Sequence, residues 1–322
     1  MAPRLPEELT PPPPRRRLEV VSADGTRIAV QMHGPERAPQ VLLAHGWTCR
    51  SDLWAPVVHR LRAELRVVCY DQRGHGLSEP PGPAGITPDA LAADLAAVLR
   101  ATTRARRAVV VGHSMGAMSL VAMAGRYPTV LRRSVAAVLL ASTGVDELVG
   151  RLDLVNLPGQ LSGLVPDHVL RVVQFLTRGG LADARLLRSL PPALARTAVR
   201  HITLSPSATA AQAMFCTDII RSCPPVTHHS CARLLRDLDL SPDVPRLTVP
   251  AMVLVGTADR LTPAWHARRL AEALPRGLGV IEVPGVGHMT PVQAPDTVAS
   301  AVQTLAEDYL SGPRGAQRSA VS

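Results

Sequence analysis

The sequence predicts an α/β fold in which helices cover both faces of a parallel sheet and an all-helical insertion interrupts the alternation. Short β-rich runs alternate with longer runs of helical period, as βαβ units require. Several of the short runs (VLLA, AVVV, AAVLL, AMVLV) are almost continuously apolar, which suits strands buried on both faces. The alternation stops after Ser142 and resumes at Val249, leaving a long stretch without a strand pattern.

In chain order, the strands are expected at Leu18–Val21, Arg27–Met32, Gln40–Ala44, Val67–Tyr70, Ala108–Val111, Val135–Leu140, Ala251–Val255 and Gly279–Val283. Helices are expected at Trp54–Ala63, Pro88–Ala101, Met115–Arg126, Pro263–Leu274 and Pro291–Leu310. Thr87–Pro88 and Thr262–Pro263 each read as an N-cap followed by a proline at the first helical position. Residues 146–245 hold amphipathic helical pieces broken by Pro158, Pro166, Pro191, Pro206 and Pro224. The chain therefore divides into a core (18–145 and 246–310) and a helical cap (146–245). Residues 1–17, with four consecutive prolines, read as an extended disordered tail, and residues 311–322 as a second one.

Charge and composition exclude several functions. The 322 residues carry 35 basic and 26 acidic groups, a formal charge of +9, and every basic residue is arginine. The two tails hold +4 of that charge, and only 8 residues are aromatic, so the basic face and stacking platforms of a nucleic-acid binder are missing. Five cysteines make an odd count with no C-x-x-C pair, which suits reduced thiols in a cytoplasm. The N-terminus lacks the apolar core of a secretory signal. Ala108–Gly125 is free of formal charge but contains His113, Ser114 and Ser119, so no integral membrane segment is expected. The oligomeric state is left open.

Gly112-His113-Ser114-Met115-Gly116 follows the AVVV strand directly and precedes a helix. A G-x-S-x-G pentapeptide in that position forms a strained turn whose serine is presented at the carboxyl end of the sheet. A serine hydroxyl needs a base to take its proton, and the base must itself be oriented. Asp259 follows the AMVLV strand and His288 the last one, so all three can meet above one sheet edge. The order Ser, Asp, His accompanies this type of nucleophile. Asp146, after the sixth strand, is a rival for the acid. The main-chain amides of Trp47, after VLLA, and Met115 are placed to bind a developing oxyanion. Phe175, Met214 and Phe215 would give the cap an adaptable apolar pocket lining. His45, His75 and His113 read as structural hydrogen-bonding groups. Cys216, Cys223, His228, His229 and Cys231 match no familiar zinc spacing, so no metal is expected.

Taken together, VLLAHGW, the segment Asp71–Ser78 (DQRGHGLS), GHSMG, LVGTADRLTP and PGVGHM resemble the α/β-hydrolase superfamily, in its subgroup with a helical cap, over residues 18–310. The resemblance implies an eight-stranded, mostly parallel sheet, a site between core and cap, and a bracing role for Asp71 and Arg73. A serine nucleophile argues against dehalogenase and epoxide hydrolase chemistry, and residues 146–245 contain no tyrosine. Met115 stands where proline-iminopeptidase relatives carry an aromatic residue. The expected activity is hydrolysis of a lipophilic small-molecule carboxylic ester through an acyl-enzyme, without a cofactor. A biosynthetic thioesterase, lactonase or acyltransferase, a haloperoxidase-like perhydrolase and a non-catalytic ligand-binding relative are the alternatives.

Overall fold

In the computed structural model, which describes residues 5–103, 106–148 and 188–310, the apolar runs form eight strands. They are β1 (Arg16–Val21), β2 (Arg27–His33), β3 (Gln40–Ala44), β4 (Arg66–Tyr70), β5 (Ala108–His113), β6 (Val135–Ala141), β7 (Ala251–Gly256) and β8 (Gly277–Val283). One sheet holds them in the order β1-β2-β4-β3-β5-β6-β7-β8. β2 pairs antiparallel with both β1 and β4, and every other pairing is parallel.

Helices α1 (Ala55–Leu61), α2 (Pro88–Thr103), α3 (Met115–Arg126) and α4 (Pro128–Ser134) lie between β3 and β6 in the chain. The period-2 alternation of the central strands sends successive side chains to opposite faces. Leu42, Val110, Val138 and Leu140 join one apolar cluster with residues of α2 and α3. Val41, Leu43, Val109, Val111 and Leu139 join a second cluster, which also takes in residues of α1 and of the last described helix. Full burial of each such side chain contributes roughly 1.5–3 kcal/mol, so the central strands are fixed in register by both faces.

Between β6 and β7 the described residues form α5 (Pro192–Thr203), α6 (Ala210–Ser222) and α7 (Pro225–Arg236). A reciprocal capping box starts α6: Gln212 N donates to Thr209 Oγ1 (3.1 Å) and Thr209 N donates to Gln212 Oε1 (2.9 Å). α8 (Ala264–Ala273) follows β7, and α9 (Thr290–Gln293) and α10 (Pro295–Leu310) follow β8. Pro295 divides the expected 291–310 helix, because proline cannot donate to the preceding turn. Residues 149–187 of the expected cap (146–245) and the expected tail 311–322 lie outside the described residues. Among the described residues, no helix is long and apolar enough to cross a membrane.

The N-terminus departs from the expected disordered tail over residues 1–17. Glu7–Leu9 forms a 3-10 turn, and Arg16 and Arg17 already belong to β1. Leu9, 1% exposed, enters a third apolar cluster with Leu53, Phe215 and Met289. His59 Nε2 donates to the Thr10 carbonyl at 2.9 Å. A single buried leucine thus anchors a stretch whose composition reads as solvated.

The loop after β4 is built around two charged residues. Asp71 accepts from the amide of Leu77 (2.8 Å), closing the loop on itself, and from that of Ser51 (2.6 Å), tying it to the segment after β3. Arg73 is fully buried and makes a two-pronged ion pair with Asp94, at 2.7 Å on each arm. Its remaining donors reach Asp24 (2.9 and 3.2 Å), the Gly85 carbonyl (2.9 Å) and Ser22. Burial works against the Asp24 charge, but the hydrogen bonds from Arg73 and Thr26 outweigh it and hold the carboxyl well below its usual range.

Removing one partner of a buried ion pair leaves the other uncompensated. Arg73→Leu should therefore lose about 3–5 kcal/mol of stability, read from urea denaturation. A carboxyl held below its ordinary value stabilises the fold fully above that value, about 3.9, and loses this contribution as pH falls through the folded one. The stability gap between the native chain and Asp24→Asn should accordingly narrow as pH drops from about 6 to about 3. A gap that widens on acidification would contradict the assignment.

Candidate active site

Ser114 sits at the junction of β5 and α3 with φ 51° and ψ −119°, a left-handed conformation rare for a residue with a side chain. Strain of this kind costs about 1–3 kcal/mol and persists only where surrounding structure imposes it. Here the Ser114 amide donates to the Ala141 carbonyl of β6 (2.9 Å), while its own carbonyl accepts from Ala117 N (2.9 Å) and Met118 N (3.2 Å). A Cβ on Gly112 would run into the main chain of Ala117, and one on Gly116 into the carbonyl of Ala44. Both glycines are therefore demanded by close approach, and the hydroxyl is left at the start of α3.

Asp259 and His288 arrive from the loops after β7 and β8. Asp259 Oδ1 accepts from the amides of Leu261 and Thr262, each at 2.9 Å. Its Oδ2 accepts from Thr262 Oγ1 (2.9 Å) and lies 2.9 Å from His288 Nδ1. Burial disfavours the Asp259 charge, yet the attraction of His288 and the bonds from His288 and Thr262 prevail and keep its pKa below the ordinary value. An ionised carboxylate only accepts, so Nδ1 carries the proton and Nε2 is the basic nitrogen. Asp146 is drawn aside instead, ion-paired with Arg269.

The loop after β3 brings Trp47 to the same edge. Among the described residues, the main-chain amides of Trp47 and Met115 have no acceptor. Thr48, at φ 61°, donates from its hydroxyl to the Trp47 carbonyl (2.6 Å), and the Trp47 ring packs 4.7 Å from that of His228. His45 braces this loop: Nδ1–H donates to the Gly46 carbonyl (2.8 Å) and Nε2 accepts from Gln72 N (2.9 Å). Gln72 Nε2 reaches the His45 carbonyl, and its Oε1 lies 3.0 Å from Ser119 Oγ on α3. Gln72, Ser119 and Thr262 thus support the site, although the sequence motifs give the first two no role and Thr262 only that of a helix cap. Only their positions, inside DQRGHG, one turn into α3 and inside ADRLTP, mark them.

The residues expected to line a pocket separate. Phe215 is buried with Cys49, Leu53 and Met289 at the seam between the sheet's edge loops and α6, where it serves packing. Met214 beside it is half-buried, and Phe175 lies outside the described residues. Cys216, Cys223 and Cys231 are buried thiols, each pushed above its usual pKa by burial.

Comparison with known proteins places the chain in a family. The chain is 26% identical over 287 residues to a 2-(acetamidomethylene)succinate hydrolase from Mesorhizobium japonicum (strain LMG 29417 / CECT 9101 / MAFF 303099), covering 86% of this chain and 91% of that protein. Its fold is shared with a thermophilic esterase from Thermogutta terrifontis (TM-score 0.68, 24% identity, 90% of this chain and 97% of that one). It is shared equally with an enol-lactonase from Burkholderia xenovorans LB400 (TM-score 0.67, 23% identity, 89% and 99%). Residues 41–301 match the model of the alpha/beta hydrolase family, and the chain belongs to that family.

Proposed function

We propose that this hydrolase cleaves carboxylic esters of small lipophilic molecules through an acyl-enzyme on Ser114. The observation that carries the reading is the 2.9 Å contact between Asp259 Oδ2 and His288 Nδ1, which leaves Nε2 as the base on the side away from the carboxylate. In this scheme His288 Nε2 takes the Ser114 proton as the hydroxyl oxygen attacks the ester carbonyl. The amides of Trp47 and Met115 receive the negative charge that develops on the carbonyl oxygen, an interaction of about 3–4 kcal/mol for a well-placed donor. The proton then passes from Nε2 to the leaving alcohol. Water, deprotonated by the same nitrogen, attacks the acyl-enzyme and releases the acid. Asp259 stays ionised throughout and stabilises the imidazolium. Side chains and main-chain amides supply the whole reaction, so no cofactor enters the proposal.

The ester specificity rests on the nature of the nucleophile and of the surroundings. A neutral serine with one base suits an acyl carbon, and the aliphatic composition of the helical insertion, rich in Leu, Val and Ala, suits a lipophilic acyl group.

Two substitutions test the scheme with p-nitrophenyl butyrate as substrate. Ser114→Ala should lower kcat by about 10⁴-fold or more, and turnover close to the native rate would refute the nucleophile. Asp259→Asn should lower kcat by about 10⁴-fold with little change in KM, since the amide favours the opposite imidazole tautomer. Circular dichroism would verify that both variants keep the native fold.

A further inference from the structure

His113 occupies the variable position before the nucleophile, and its ring meets three parts of the site at once. Nε2 lies 2.9 Å from the His288 main-chain carbonyl oxygen. A carbonyl can only accept, so Nε2 carries the proton and Nδ1 is bare. The ring centroid stands 5.0 Å from that of His288, and Trp54 presents itself edge-on at 6.4 Å. On the other side the oxyanion loop packs directly on the imidazole: a Cβ at Gly46 would lie 2.9 Å from Nδ1 and 3.0 Å from Ser114 Cβ. The side chain is 1% exposed. Burial, and then the neighbouring His288 charge, push its pKa down to about 3, so it stays neutral while His288 is protonated.

We propose that His113 is a positioning residue: its Nε2–H holds the His288 main chain at a fixed offset from Ser114, which sets where the imidazole stands relative to the nucleophile. The inference rests on the roles given above to Ser114 and His288. Asp259 grips His288 at Nδ1 alone, which leaves the imidazole free to tilt about that contact. The bond to the carbonyl supplies a second fixed point on the same residue. Because His113 is covalently joined to Ser114, this point moves with the nucleophile and not with the loop after β8. Thr290 N also donates to the His288 carbonyl at 2.9 Å, so loss of the imidazole donor would not orphan that oxygen. The fold should therefore tolerate replacement, and the effect should fall on rate.

His113→Phe keeps a flat ring in the slot and removes the donor, whereas His113→Gln offers an amide N–H at similar reach. With p-nitrophenyl butyrate, the Phe variant should lose roughly 10–100-fold in kcat with KM within about twofold, the scale of a small misplacement of reacting groups. The Gln variant should regain most of that loss. Thermal unfolding of both variants provides the control for stability. Near-native turnover by His113→Phe would overturn the proposal, as would equal impairment of the two variants or a loss that only follows the unfolded fraction. Ser114→Ala in the same assay separates the two levels. If it is inactive and His113→Phe is native-like, only the positioning role falls; if it turns over like the native chain, both roles fall.

Discussion

The distance at which α3 can approach the sheet governs the whole carboxyl edge. Gly116 lies against the Ala44 carbonyl and Gly112 against Ala117, so the helix starts almost in contact with the ends of β3 and β5. That approach bends the chain at Ser114 into its left-handed conformation and starts α3 at Met115. The strain is stored locally and held by the Ala141 bond on one side and the first turn of α3 on the other. Gln72 then joins the loop after β3 to the helix through His45 and Ser119, so three segments distant in sequence share one rigid frame. Preorganised donors are effective because nothing has to rearrange as charge develops.

Histidine chemistry in this frame is divided by environment. His45, His75 and His113 are buried, and burial lowers their pKa values to about 4, 3 and 3. They behave as fixed, neutral hydrogen-bonding pieces, each with one nitrogen committed to a main-chain carbonyl. His288 alone among these four is matched with a buried carboxylate. The same side chain thus serves as neutral scaffold where burial suppresses its charge, and is paired with an anion at His288.

Much of this arrangement was legible in the sequence because it follows from strong local signals. Continuous apolar runs marked the central strands, and the eight expected strands all appear, with ends moved by no more than two residues. Chain order and strand ends were enough to bring Ser114, Asp259 and His288 to one edge. Other features depend on a distant partner that composition does not reveal. The Pro-rich N-terminus is held by Leu9 inserting into a cluster whose other residues run from Cys49 to Val292, and by bonds to His59 and Met32. Phe215 belongs to the same seam, and a single aromatic residue on an amphipathic helix gives no sign of whether it faces a ligand or another helix. The short helix α4 has a proline start and two consecutive arginines at its end, but only seven residues, too few for a clear period. Thr262 carried a helix-start signal, yet its hydroxyl is spent on Asp259, ahead of α8.

The seat of Leu9 also bears on the order in which the molecule can be assembled. Its partners include Val199 and Leu204 from the middle of the chain and Met289 and Val292 near the end. A ribosome delivers the N-terminus first, so Leu9 can meet Cys49 and Leu53 early, while the residues of its cluster from 199 onward arrive only when most of the sequence has emerged. The entropy of closing so long a loop rises only logarithmically, and the finished contact is not much weakened by it. The delay is kinetic: the cluster that receives one of the first residues made is completed late. Closing the seam is then a late step of folding, one that joins the N-terminal stretch to α6 and to the loop after β8.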